Sequence, residues 1–168
     1  MLIQKHSLEI FADYGEIALV DCSPEAWGSV EFPAWTAANH ATRVVAGDGV
    51  LALATARNVT VPFELEIYDS APHLDIDLFD HVVECGLTLR SGRIVVAGFD
   101  ESDFESFLPT GTYQAIVTFS GLSTVDFGDD GELVGEDLYR IALWRGIDRP
   151  LRVVRQWVNG LTGAHAKR

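Results

Sequence analysis

Two runs decide the fold: Gly111-Thr112-Tyr113-Gln114-Ala115-Ile116-Val117-Thr118-Phe119 and Asp137-Leu138-Tyr139-Arg140-Ile141-Ala142-Leu143-Trp144. The first alternates strictly, with Tyr113, Ala115, Val117 and Phe119 on one face; the second puts Tyr139, Ile141 and Leu143 on one face. A period of two, sustained in aromatic and β-branched side chains, predicts half-buried strands. Trp144 falls opposite Ile141 and Leu143, on the face a sandwich leaves partly exposed, and tryptophan is enriched at interface hot spots. Between the runs lies Gly121–Glu136, which carries Asp126, Asp129, Asp130, Glu132 and Glu136.

Outward from this pair the pattern repeats. Leu8, Ile10, Ala12 and Tyr14 alternate, Gly15 interrupts, and Glu16–Asp21 resumes as strand, so the glycine marks a bend. Val61, Phe63, Leu65 and Ile67 point one way while Glu64 and Glu66 point the other, and Pro62 places that end of the run at an edge or at a strand start. Gly47-Asp48-Gly49 and Ser91-Gly92 are turn signals between apolar runs, and Leu151–Trp157 supplies a last strand. Ser23-Pro24-Glu25 can open a short helix, and Pro33–His40, rich in alanine, predicts one short helix near residues 33–40. The sum is all-β: an antiparallel β-sandwich of about 8–10 short strands, with no βαβ alternation. One domain spanning residues 1–168 is expected, since no linker or repeat divides the chain.

Composition sets the partners. An apolar fraction of 48% fits a chain with a real core, and at this length folding buries roughly 70% of the unfolded surface. The formal charge is −13, from 25 acids and 12 bases. Such a surface repels nucleic acid and anionic membrane and favours a basic protein partner. The charge is also segregated. Ile94 to Tyr139 contains no Lys or Arg, yet holds Asp100, Glu101, Asp103, Glu105, Asp126, Asp129, Asp130, Glu132, Glu136 and Asp137. Arg140, Arg145, Arg149, Arg152 and Arg155 follow. If these halves cancel, the acids are structural; if the fold separates them, they form a field that steers a cationic partner. Pairing of acidic and Arg-rich faces between copies would instead give a homo-oligomer.

Cys22 and Cys85 make no disulfide framework and no zinc spacing, and Cys85 alternates with Val83 and Leu87 as a buried small hydrophobe. The first residues lack a secretory pattern and no apolar run reaches the length of a membrane span, so the expected address is the cytoplasm.

Catalytic motifs are missing: the sequence has no Gly-x-Ser-x-Gly elbow, phosphate-binding glycine loop, dinucleotide fingerprint or His-Glu-x-x-His. A non-catalytic protein with no cofactor is therefore expected. Two metal readings compete. Aligning Gly131 with the turn glycine of a calcium loop puts Asp126 first, Asp130 fifth and Asp137 twelfth, but Gly128 stands third and strands flank the segment. His73-Leu74-Asp75-Ile76-Asp77, with Asp80 and His81 behind, could aim three ligands at one ion if extended, and would be the site of a metal-binding protein or enzyme. The preferred reading is a partner-binding face made of Asp100, Glu101, Asp103, Asp126, Asp129, Asp130, Glu132, Glu136 and Asp137, with Trp144 as anchor.

Spaced features support a family likeness. Phe11-x-x-Tyr14 precedes Ile17-x-Leu19-x-Asp21; Trp35 and Ala38 precede Gly49-Val50. Val61-Pro62-Phe63-Glu64-Leu65, Ser91-Gly92 and Leu108-Pro109-Thr110-Gly111-Thr112-Tyr113 follow in order. From Leu8 to Phe119 the chain resembles the competence protein J family, small bacterial β-proteins that inhibit a DNA-entry nuclease. The resemblance implies a β-fold and an inhibitory role, and it assigns no inhibitory residue; taken with the acidity, the basic partner to expect is a nuclease or a toxin, neutralised by a nuclease inhibitor or a toxin-immunity protein. The acidic Gly121–Asp137 segment and the Arg-rich last strand depart from it.

Overall fold

The computed structural model describes residues 1–24, 35–98 and 102–158, the side chains of Ser102 and Asp103 excepted. The strands are β1 (Leu2–Phe11), β2 (Glu16–Asp21), β3 (Val44–Gly47), β4 (Val50–Ala54), β5 (Thr60–Tyr68), β6 (His81–Leu89), β7 (Arg93–Ala97), β8 (Ser102–Phe107), β9 (Gly111–Ser120), β10 (Asp126–Phe127), β11 (Leu133–Val134), β12 (Leu138–Arg145) and β13 (Arg152–Arg155). One sheet has the order β1-β5-β12-β9-β6-β13, the second β3-β4-β2-β7-β8, and β10 and β11 form a two-stranded hairpin. The all-β class stands, with more strands than the turn spacing predicted. One pairing departs from the antiparallel expectation: β12 runs parallel to β5, Ile141 beside Leu65. Alternation fixes which face a residue takes but not which way its neighbour runs.

The two alternating runs lie side by side as β9 and β12, with Val117 opposite Ile141 and Phe119 opposite Tyr139. Their inward residues join Phe63, Leu65, Val83 and Leu87 from one sheet and Ile17, Leu19, Leu51, Leu53, Ile94 and Val96 from the other in one core. Cys85 is interior as expected, and burial pushes its thiol up to about 12, with Asp148 and Glu84 adding to it.

Both sheets also bury part of their outward faces. Ala18, Val20, Val50, Ala52 and Val95 pack beneath Trp35, which is why β2 is buried along its whole length instead of alternating. Glu16, at its start, accepts a 2.6 Å hydrogen bond from Trp35 Nε1, and burial raises its carboxyl above the ordinary range against that bond. Phe79, Val82, Ile116 and Trp144 form the matching cluster on the six-stranded sheet, with Leu74 against it. Trp144 therefore does face outward from the sandwich, but the segment carrying Leu74 and Phe79 covers it to 7% exposure.

Local corrections have local causes. The helix α1 is Ala37–Thr42, shifted from residues 33–40, because the Thr36 hydroxyl caps it by accepting from Asn39 N at 3.2 Å. Pro33 and Ala34 lie outside the described residues, as do Glu25 and Trp27. The first strand ends at Phe11: Tyr14 and Gly15 take positive φ, and Tyr14, predicted to share a face with Ile10 and Ala12, is 79% exposed. Among the described residues no helix is long and apolar enough to cross a membrane.

Candidate partner-binding face

The segment joining β9 to β12 is built to hold its shape. At its base Gly121 sits at φ 69°, and a Cβ there would fall 2.3 Å from Glu136 O, so the two arms touch backbone to backbone. A single 3-10 turn, Leu122–Thr124, follows. Leu122 N–H donates to Asp80 Oδ2 at 2.8 Å, and the Thr124 hydroxyl donates to Gly121 O at 2.6 Å while accepting from Glu136 N at 2.8 Å. Above this base Asp126 pairs with Val134 and Phe127 with Leu133. The tip closes through Gly128 N–H to Glu132 O at 2.7 Å and Gly131 N–H to Gly128 O at 3.0 Å, with Gly131 at φ 84°.

Five of the predicted carboxylates, Asp126, Asp129, Asp130, Glu132 and Glu136, are brought together here and all are exposed. Asp126 accepts from Phe127 N at 2.8 Å and Asp130 from Glu132 N at 3.1 Å, each through one oxygen, which stiffens the turn and leaves the other oxygen outward. None of the five forms an ion pair with a described residue.

Four of the five arginines that follow in the sequence are held elsewhere. Arg140 bonds Glu64 at 3.0 Å in a cluster where Lys5 reaches Glu64 at 2.8 Å and Glu66 at 3.2 Å. Burial pushes the Glu64 carboxyl up, but Lys5 and Arg140 outweigh it and leave it below the usual range. Arg152 pairs with Glu84 at 2.8 Å and Arg155 with Asp77 at 2.6 Å, while the Arg145 guanidinium lies 5.1 Å over the Tyr113 ring.

Two of the other predicted residues, Asp137 and Trp144, are not on this face. Asp137 is fully buried. Its Oδ1 accepts from Arg57 Nε at 2.6 Å and its Oδ2 from the Tyr139 hydroxyl at 2.5 Å, and Ala56 N–H donates to that hydroxyl at 2.7 Å. Burial first, and then Asp137, pushes the Tyr139 phenol above its ordinary value. Asp137 is thus a structural anchor, tying the β4–β5 connection to the foot of the hairpin. Trp144 is likewise interior. Asp100 and Glu101 lie outside the described residues; Asp103 lies in β8; Glu105 pairs with Arg93 at 3.2 Å.

Two exposed apolar side chains went unread in the sequence: Phe127, 72% exposed, and Val134, 50% exposed, within the acidic hairpin. The available signal was an aromatic between Asp126 and Gly128, in a run too short to have a buried side.

The metal readings fail on geometry. Ile76–Leu78 is a 3-10 turn, so the His73–Asp77 run is not extended; Asp75 caps that turn by accepting from Asp77 N at 3.2 Å. Asp77 is bonded to Arg155 and Asp80 to Leu122 N. His81 is buried with both ring nitrogens engaged, Nε2 on Thr42 O at 2.8 Å and Nδ1 on Trp157 N at 3.0 Å. Asp137, the twelfth position of the calcium alignment, is held by Arg57. Among the described residues no group of three His, Cys, Asp or Glu side chains converges on a metal position. A recess of about 620 Å³ is walled by Asp48, Thr88, Arg90, Asp148 and Arg149, where Arg90 and Asp48 bond each other.

No protein-family model matches the chain, and none of the curated proteins does. Two solved structures share the fold. One is ComJ from Bacillus subtilis, inhibitor of the DNA-degrading activity of NucA: TM-score 0.63, 15% identity, covering 87% of this chain and 98% of ComJ. The other is the product of crocagin biosynthetic gene J: TM-score 0.52, 18% identity, covering 85% of this chain and 96% of that one. The similarity to ComJ at the level of fold extends the resemblance read from Leu8–Phe119 to most of the chain.

Proposed function

We propose that the chain is a non-catalytic, single-domain, cytoplasmic binding module that neutralises a basic protein, with a nuclease as the favoured partner and the β10–β11 hairpin as the contact. The observation that carries this is the isolation of Asp126, Asp129, Asp130, Glu132 and Glu136 from every described cation, although five arginines follow within twenty residues or so of sequence. A nuclease holds phosphates in a cationic groove, and a stiff acidic hairpin is complementary to that groove. Phe127 adds what charge alone lacks: an aromatic anchor of the type that dominates interface energies. The fold shared with an inhibitor of DNA degradation supports the reading.

The test uses the wild-type chain and an Asp129→Asn/Asp130→Asn/Glu132→Gln variant as paired baits in a lysate of the source organism. The expected result is a basic protein retained by the wild type, eluted by salt, and lost from the variant. Its purified form should degrade DNA and be inhibited stoichiometrically by the wild type. Capture of the same proteins by both baits refutes the hairpin as the contact, and a captured partner without nuclease activity refutes the favoured partner class.

A further inference from the structure

Of the two edges of the six-stranded sheet, β13 is four residues long and β1 ten, the latter paired on one side with β5 and on the other with nothing among the described residues. The phase of its hydrogen bonds can be read from its end. Ala12 N–H donates to Val59 O at 3.1 Å, and the register continues as Ile10 with Val61, Leu8 with Phe63 and His6 with Leu65. In an antiparallel ladder the bonded residues alternate, so the peptide groups of Lys5, Ser7, Glu9 and Phe11 point away from β5. The Phe11 carbonyl confirms the phase independently, because it abuts Gly98, where a Cβ would lie 2.1 Å from it. That leaves Lys5, Ser7 and Glu9, all exposed, as the open stretch.

Long open edges are normally blunted by charge, proline or bulges. Here the only irregularity is the register shift between Leu2 and Gln4, and the two charges are of opposite sign and equidistant from Ser7. We propose that β1 is a self-pairing edge: two copies of the chain join antiparallel along it about a twofold axis through Ser7, making one continuous sheet. In that register Ser7 faces Ser7 of the other copy and Lys5 faces the other copy's Glu9, twice by symmetry. Every outward peptide group then meets an outward peptide group. Shifting the axis by one residue to either side keeps the hydrogen-bond phase but sets Lys5 against Ser7 or Phe11 and leaves the charges unmatched. Lys5 already uses two of its three donors on Glu64 and Glu66, so one remains for the incoming carboxylate. Ile3, 58% exposed, and Phe11, 51% exposed, flank the seam. The hairpin takes no part, so this assembly and the proposed partner contact stand or fall separately.

Sedimentation equilibrium of the full chain, from low micromolar to submillimolar concentration, reads the outcome directly. The wild type is expected to dimerise. Glu9→Lys sets lysine against lysine at both ends of the seam and should weaken the dimer by about tenfold or more. The Lys5→Glu/Glu9→Lys exchange restores opposite charges and should recover it, which a merely misfolded variant would not do. Ser7→Pro removes an outward N–H, leaves the bonds to β5 intact and should give a monomer with an unchanged circular dichroism spectrum. A wild type that stays monomeric throughout overturns the proposal. So does a dimer indifferent to Glu9→Lys and Ser7→Pro, or one lost instead on Asp129→Asn/Asp130→Asn, which would place acidic and Arg-rich faces at the contact.

Discussion

Replacing Asp137 with Asn tests whether this carboxylate anchors the hairpin or serves it as a contact. In the folded chain Asp137 is fully buried and accepts two strong hydrogen bonds, one from the Arg57 guanidinium and one from the Tyr139 hydroxyl. The amide keeps the size and loses the charge, so Arg57 is left without its counterion and one of the two donors faces an NH₂. Breaking a buried pair by removing one partner costs about 3–5 kcal/mol. The Arg57 side chain, though, is 11% exposed and can turn partly to water, which places the expected loss near the lower end, about 3 kcal/mol. For a chain of this size that is a fall in Tm of roughly 6–12 °C. Urea unfolding followed by tryptophan fluorescence reads it, beside Asp129→Asn, which should stay within about 0.5 kcal/mol of the wild type. Tyr139→Phe gives a third reading, since it removes a donor to Asp137 and an acceptor for Ala56 N–H. The double variant should be less destabilised than the two single losses added, because both break one network. A loss below about 1 kcal/mol for Asp137→Asn, or strict additivity with Tyr139→Phe, would refute the anchor.

His81 is buried, and that burial holds its imidazole below the ordinary value of 6.5; the folded state thus binds fewer protons than the unfolded one. Stability should be full above that value and fall as pH drops below it, by up to about 1.4 kcal/mol per pH unit, and His81→Gln should flatten the slope in urea titrations across this window. Gly121→Ala should destabilise by about 2 kcal/mol or more, since positive φ and the Glu136 carbonyl both exclude a Cβ; the check is loss of hydrogen-exchange protection at Glu136 N–H. Phe127→Ala should leave stability unchanged and lower partner affinity at high salt as much as at low salt, whereas Asp129→Asn/Asp130→Asn should lower it mainly at low salt, by calorimetry with the captured partner.

How much of this could be read beforehand depended on what each feature rests on. β9 and β12 were legible because burial on one side imposes a period of two on every residue. The parallel β5–β12 pair was not, because strand direction leaves no mark on that period. β2 hid its outward face because Ala18 and Val20 are covered, and a strand buried on both faces has no polar partner residues to alternate with. In the site, sign and clustering of the acids were plain, while depth was not: Asp137 differs from Glu136 by one position, and that step turns the side chain from solvent into the space beside Tyr139. The Arg57 partner, eighty residues away in sequence, is set only by the β4–β5 connection arriving at the hairpin's foot. His73–His81 misled for the opposite reason, since its apparent extended face is broken by a turn capped from within by Asp75.

The distribution of arginines bears most directly on what the hairpin can do. An acidic protein can hold negative charge at a chosen place only if its cations are fixed elsewhere, because a mobile guanidinium within reach of a free carboxylate would pair with it. Here Arg140 is fixed by Glu64, Arg152 by Glu84 and Arg155 by Asp77, all acids of the six-stranded sheet or of the segment leading into it. Those pairs are individually of modest worth where exposed, but together they keep the basic end of the chain away from β10 and β11. The hairpin itself is braced at Gly121, Thr124 and Asp137, so little ordering entropy opposes its docking. With a Debye length of about 8 Å at physiological ionic strength, five clustered carboxylates act on a cationic surface as one charge patch only at short range. Association should accordingly slow as salt rises, while the off-rate, which the proposed Phe127 contact would govern, should change little. A salt-independent on-rate in stopped-flow mixing with the captured partner would mean that the separation of charge in this fold serves something other than recognition.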